Sequence, residues 1–281
     1  MTKSFGSFLA PLYFCTLLGL SAPVVLNAQA EPVAAIMHPM EKIKYKVEFQ
    51  WGFISPNAGS AQMQMRQVEE NGRTLNAYKI SLRTSSFFDN IYSLRDEVES
   101  FYTSDLVFVR SVKNLVERKK PSTRYMTVNF GANNKATSFR FLQRRKDWIM
   151  HDSIVPIRSP YPIVDLFGSV IYLRSLDYSK LQVGARLPIT VIDNADIVKA
   201  YIIYKGKEVL SIGQKGKYNT LRFVIDIGSD KFSSSNESME VWISDDSNHI
   251  PIQLKSKLKL GAGVAVLQST SGLKYPLNRA K

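Results

Sequence analysis

Apolar and polar residues alternate with a period of two along much of the chain. From residue 43 the pattern is nearly unbroken: Ile43, Tyr45, Val47, Phe49 and Trp51 fall on one face, and Lys44, Lys46, Glu48 and Gln50 on the other. Alternation of this length predicts a strand with one buried and one wet face, as in antiparallel sheets. Ala61, Met63 and Met65 then alternate with Gln62, Gln64 and Arg66. Asn71-Gly72 is a strong hairpin signal, and Tyr78, Ile80 and Leu82 share a face of the strand that follows. Further strands are expected over residues 91–102, 106–117, 123–130, 137–143, 187–192, 197–204, 208–212, 218–227, 239–244, 250–260 and 264–269.

One stretch breaks this rule. In residues 162–176, Ile163, Leu166, Phe167, Val170 and Leu173 recur at the three-and-four spacing of one helical face. Pro162 suits a first helical turn, and Asp165 suits the positive end of the helix dipole. The pattern therefore predicts a mostly β protein of about a dozen strands: an antiparallel curled sheet, sandwich or open barrel with one amphipathic covering helix. A single β-rich domain is expected over residues 43–275. Its two strand blocks, 43–145 and 185–270, are joined by a connector and the helix, 146–176.

The amino terminus has a different character. Lys3 precedes an apolar stretch, and Ala28-Gln29-Ala30 has the small-x-small pattern read by signal peptidase. Residues 1–30 are expected to be a cleaved signal peptide, and 31–42 a disordered leader. The only cysteine, Cys15, falls inside the signal, so the mature chain would have no disulfide, thiol nucleophile or cysteine metal site. No later stretch approaches the roughly 18 apolar residues of a spanning helix. Localisation in the periplasm or cell envelope follows. Loss of Lys3 lowers the formal charge of the chain from +13 by one. In an exported protein that charge excludes nucleic acid as a natural partner and points to anionic lipid or envelope glycan.

The search for chemistry assigns no catalytic residue, metal or cofactor. Arg95, Asp96, Glu97 and Glu99 form the densest ionisable cluster. If Val98 faces the core, Asp96 faces it too and needs a partner. Two readings stand for it: an acid/base or ligand-anchoring carboxylate, or a carboxylate paired with an arginine of a neighbouring strand such as Arg110. Glu97 and Glu99 are neighbours on a wet strand face, which does not enclose a glycan as a glycosidase pair must. His38, His151 and His249 lie far apart in expected loops, without metal-ligand spacing. Ser256 and Lys259 match S-x-x-K, but on a strand they lie roughly 10 Å apart on opposite faces. Asp245-Asp246-Ser247-Asn248 reads as a tight turn, not a twelve-residue calcium loop.

Several landmarks resemble the bacterial exported family of domain of unknown function 3108 (DUF3108). They are Trp51-Gly52 with Ala58-Gly59, then Tyr92, Arg95, Asp96, Glu99 and Ser100. The helix segment with Asp165, Ser169, Tyr172 and Arg174 fits, as do Trp242, Ser244, Asp245 and Asp246 leading to Ile250-Pro251. The resemblance implies export and a β-rich fold and carries no catalytic residues. The architecture is also similar in outline to periplasmic lipoprotein carriers, whose curved sheet is covered by helices around an apolar cavity.

Candidate ligand contacts fall into two groups. Arg118, Lys119 and Lys120 follow one strand, and Arg144, Arg145 and Lys146 follow another two strands later, so a meander would bring both clusters to one rim. They would either dock lipid phosphates or an acidic partner, or simply solvate two turns. Met63, Met65 and Phe167 are candidates for an adaptable greasy pocket, ordinary core packing being the alternative. The function expected is that of a non-enzymatic exported envelope protein binding a hydrophobic or amphiphilic anionic ligand. The alternatives are an assembly factor contacting another envelope protein, and an envelope glycan hydrolase. N-terminal sequencing of the protein from its native envelope should begin at Glu31; a mature chain still carrying residues 1–20 would refute the cleavage.

Overall fold

The computed structural model describes residues 37–90, 93–117, 120–132, 135–227, 238–258 and 261–280. The expected signal peptide, Arg118, Lys119 and Tyr92 lie outside the described residues. The first half of the chain forms β1 (Lys42–Gln50), β2 (Asn57–Glu70), β3 (Arg73–Thr84), a short helix α1 (Ser86–Asp89), β4 (Arg95–Tyr102) and β5 (Phe108–Glu117). It continues through β6 (Lys120–Phe130), β7 (Ala136–Arg145) and β8 (Trp148–Pro156). After β9 (Ile163–Asp165) and the helix α2 (Gly168–Arg174) come β10 (Arg186–Asp193), β11 (Asp196–Ser211) and β12 (Lys217–Ile227). The last strands are β13 (Ser238–Ser244), β14 (Pro251–Lys257) and β15 (Ala262–Ser271).

All 15 strands belong to one sheet, in the order β8-β7-β6-β5-β4-β3-β2-β1-β15-β14-β13-β12-β11-β10-β9. Every neighbouring pair is antiparallel except β9 and β10, which run parallel. The order itself demands curvature. Laid flat, such a sheet would be roughly 65–70 Å wide at about 4.8 Å per strand. Yet the two edge strands, β8 and β9, are joined by residues 157–162 alone, a reach of about 20 Å. The sheet must therefore coil until its edges approach. It stays open, because β8 pairs only with β7.

The coil encloses one main core, drawn from β3–β7 on one side and β10–β13 on the other. Tyr102, Phe108, Phe139, Phe141, Ile189, Ile202, Phe223 and Val241 are among its buried members. A second cluster near the start of β1 holds Ile43, Tyr45, Met63, Ile250 and Ile252. The Asn71-Gly72 turn has both residues at positive φ (51° and 72°), as a type I′ hairpin requires.

Helix α2 lies inside the coil and is buried on every side. Both of its ends are fixed by buried polar contacts. At the start, Asp165 is fully buried and accepts from Ser100 Oγ (2.5 Å), Tyr102 Oη (2.8 Å) and the Gly168 amide (2.7 Å). A Cβ at Gly168 would fall 1.7 Å from that tyrosine oxygen, so no larger residue fits there. At the end, Arg174 pairs with Glu41 at 2.6 Å, with side chains only 1% and 4% exposed. Arg174 also donates to the Asn248 carbonyl (3.0 Å), and its own carbonyl accepts from His249 Nδ1 (3.0 Å). Burial makes the His249 ring harder to protonate and lifts the phenols of Tyr45 and Tyr78, which neighbour the ion pair, above their ordinary range.

Several sequence expectations change. The helix spans Gly168–Arg174 rather than residues 162–176, because Ile163–Asp165 pairs with β10 as a strand. Pro162 is exposed and precedes that strand. The helix has no wet face, so it fills the coil instead of covering it. The connector expected ahead of the helix contains β8, whose first five residues are exposed on both faces; only Ser153 and Val155 are half-buried, so the alternation is too short to read. The two strands expected over 197–204 and 208–212 are one strand, β11, bent at a bulge where Gly206 adopts φ 108°. His151 lies in β8 and His249 is half-buried, so neither is a plain loop histidine.

Removing one member of the Glu41–Arg174 pair would leave a buried charge without its counter-ion. Arg174→Met should cost about 3–5 kcal/mol in denaturant unfolding, and Glu41→Leu/Arg174→Met should recover most of it. Equal stability of the single and double variants would show that the pair does not anchor the helix.

Candidate functional site: a cationic aromatic rim and an apolar cleft

Antiparallel order places the ends of β1, β3, β5 and β7 at one end of the sheet. The residues there are unusual for exposed turns. Trp51, Phe53 and Ile54 follow β1, Phe87 lies in α1 after β3, and Trp148, Ile149 and Met150 open β8; all are exposed, Trp148 by 78%. The apolar face of β1 explains part of this. Ile43 and Tyr45 are buried, but the same face runs past the core, so Val47 and Phe49 are half-buried and Trp51 stands in solvent.

Cations gather at the same end. Lys120, Arg145 and Lys146 line one shallow depression of about 360 Å³ together with Pro121, Trp148 and Met150. Arg144 is exposed, opposite Thr123 and Ile149, and lies outside that depression. Of the acids near this end, Asp89 is bound by Arg95, which holds its carboxyl down at about 2. Exposed Trp and Met beside Lys and Arg is the side-chain mixture that suits a membrane–water interface.

A second concavity opens toward the same end, between the start of α2 and strands β10–β14. It measures about 300 Å³ and is lined mainly by apolar side chains: Leu166, Phe167, Val170, Val191, Met239 and Leu254. Asp193, at the turn into β11, stands at its edge. Larger hollows exist, among them the rim depression. One of about 530 Å³ lies on the wet face around Gln62, Lys79 and Glu97 and has a mainly polar lining.

Of the expected pocket residues, Phe167 lines the cleft. Met65 and Met63 are packed in the two cores, so they are not pocket residues. Asp96 does not pair with Arg110. Arg110 binds Glu70 (2.7 Å) and lies 3.5 Å over the Phe101 ring, while Asp96 accepts from the Val116 amide (3.1 Å). Glu97 and Glu99 face outward, paired with Lys79 (2.9 Å) and Arg66 (2.7 Å). The 245–248 turn is held by Asp246, which accepts from Ser244 Oγ (2.8 Å) and the Asn248 amide (2.9 Å). Among the described residues, no three His, Asp or Glu side chains could hold a metal ion, and no helix is long and apolar enough to cross a membrane.

Sequence reasoning missed two inward-facing cations, Lys113 of β5 and Arg124 of β6, opposite one another in register. The signal was present: Lys113 stands between Ser111 and Leu115 in a file whose other members are buried. Lys113 Nζ pairs with Asp193, and Arg124 Nη1 donates to Asn194 Oδ1 (3.1 Å). The β10–β11 turn is thereby fastened across the interior to the opposite wall.

The chain belongs to the family described as proteins of unknown function, DUF3108, whose model matches residues 44–268. No curated protein matches the sequence. The fold is similar to a crystal structure of a β-barrel-like protein of domain of unknown function DUF1849 from Brucella abortus. That similarity has a TM-score of 0.54 and 10% identity, covering 85% of this chain and all of the other.

The rim can be tested directly. A Lys120→Glu/Arg145→Glu/Lys146→Glu variant should bind phosphatidylglycerol vesicles on the order of a hundredfold more weakly than wild type at low salt, with unchanged circular dichroism. Wild-type binding should fade as salt rises. Equal binding by both proteins would reduce the cluster to solvated surface.

Proposed function

We propose that this DUF3108 protein is a non-enzymatic, exported envelope protein that binds a hydrophobic or amphiphilic anionic ligand in the cleft beside α2. The observation that carries the reading is the cleft itself: an apolar concavity, framed by a buried helix, that opens at the end of the sheet bearing exposed tryptophans and exposed cations. Its volume of about 300 Å³ stands at the lower end of the range for small-molecule sites, enough for part of an acyl chain or a compact lipid. The export expectation places the protein among membranes, where such ligands occur. The neighbouring rim would bring the mouth of the cleft to the lipid surface. The outward pairing of Glu97 and Glu99 with cations supports a binding role over glycan hydrolysis.

A second reading has one observation in its favour. Among the described residues β8 is an edge strand of nine residues, paired on one side and largely exposed, and such an edge can accept a strand from another protein.

Calorimetric titration of the protein with laurate separates the two. Wild type should bind, and Met239→Trp, which fills the cleft from its half-buried wall, should lose about tenfold or more in affinity, since each buried methylene contributes about 0.8 kcal/mol. Laurate binding that Met239→Trp leaves unchanged would move the ligand elsewhere. No binding by a stable wild type would favour the edge-strand reading.

A further inference from the structure

We infer that Lys113 and Arg124 form the site for the anionic headgroup of the ligand, and that Asp193 occupies that site in its absence. The inference rests on the cleft as the ligand site and adds the headgroup chemistry: a carboxylate or phosphate. Lys113 and Arg124 are direct cross-strand partners on the inner face of the sheet. Like charges in that relation repel, and an interior position sharpens the repulsion. The Lys113 side chain is only 9% exposed, and burying a cation is unfavourable unless an anion joins it.

The anions at hand do not satisfy both. Asp193 binds Lys113, while among the described residues Arg124 has only the neutral amide of Asn194. Asn194 Nδ2 in turn donates to Asp193 Oδ2 (3.0 Å), so the turn presents one carboxylate and one amide to two cations. The other inward carboxylates are engaged elsewhere, Asp96 by the Val116 amide and Asp165 by Ser100, Tyr102 and Gly168. Two buried polar atoms on this wall, Arg124 Nε and Ser111 Oγ, have no hydrogen-bond partner among the described residues. Ser111 is the next inward position after Lys113.

The location fits a headgroup. Asp193 lines the edge of the apolar cleft and is also the partner of Lys113. An amphiphile whose chain lay along Phe167, Val191 and Met239 would carry its headgroup to this edge. There a bidentate anion could accept from both cations, replacing the contact that Asp193 makes with one. The ligand would thus compete with the β10–β11 turn for the same donors.

Laurate and its neutral analogue dodecanol share a chain and differ in headgroup, so their affinity ratio isolates the site. Wild type should prefer laurate. In Lys113→Met and Arg124→Met, laurate affinity should fall about tenfold or more while dodecanol affinity changes little. Asp193→Asn removes the competing carboxylate and should tighten laurate several-fold, a gain that misfolding cannot produce. Dodecanol bound as tightly as laurate by wild type, or a laurate preference indifferent to all three substitutions, would overturn the headgroup site and leave the cleft standing. Failure of both amphiphiles to bind would overturn the cleft and the headgroup site together. Inorganic phosphate at laurate's own concentration should displace it poorly; full displacement would assign the cations to a free anion and overturn the amphiphile.

Discussion

The architecture depends on a buried ion pair. Glu41 lies just before the first strand of the sheet, and Arg174 lies at the end of the helix α2 inside it. Their contact joins the strand at the middle of the sheet order to the element filling its interior. Asn248 extends the junction: its carbonyl accepts from Arg174, its side-chain amide donates to the Tyr275 carbonyl, and the Tyr275 amide donates to its Oδ1. A buried pair contributes little net stability over an apolar pair of the same shape. Its effect here is positional. An all-apolar seven-residue helix inside a greasy coil could slide or turn with little change in energy, because hydrophobic contact is non-directional. Arg174 needs its carboxylate and Asp165 needs its three donors, so the helix has one axial position. The cleft beside Phe167 and Val170 exists only at that position.

Much of the fold was legible because most strands have one wet face. The alternation in β1, β2 and β12 is the pleat written into the sequence. The illegible parts are those where that condition fails. β8 is wet on both faces over its first five residues and β9 is three residues long, so neither shows a clear period. The helix pattern extends too far because Ile163, Val164 and most of the helix are apolar and at least half-buried, and a short apolar run looks alike in a strand and a helix. The junction at Glu41 could not be read at all, since its partner is 133 positions away.

The site was legible in the same uneven way. The turn cations and Trp148 were visible, and a meander was enough to bring Lys120 beside Arg145 and Lys146. Met63 and Met65 were credited with a pocket because methionine lines adaptable pockets, but it fills cores equally well, and in this fold they pack into them. Lys113 and Arg124 escaped notice because a cation in a strand is ordinarily solvated. Only the coil, which turns the inner faces of β5 and β6 toward the β10–β11 turn, makes them interior residues.

The two ends of the coil carry opposite designs. At the Glu41 end every buried charge has a close partner, and the chain closes over it with the 245–248 turn and the segment through Tyr275. At the other end the apolar face of β1 continues past the core into Trp51, tryptophan and methionine stand exposed beside lysine and arginine, and of two facing inward cations one meets a carboxylate and the other an amide. A fold selected for stability alone would gain by ending β1 at Phe49 and by replacing Arg124 with an apolar residue, since each change removes exposed apolar surface or buried charge. Arg174 Nε also lacks a hydrogen-bond partner among the described residues, but exposed apolar side chains and two facing inward cations come together only beside the cleft, an arrangement that favours a binding site. A ligand there would gain free energy by removing apolar surface from water and by placing an anion beside both Lys113 and Arg124.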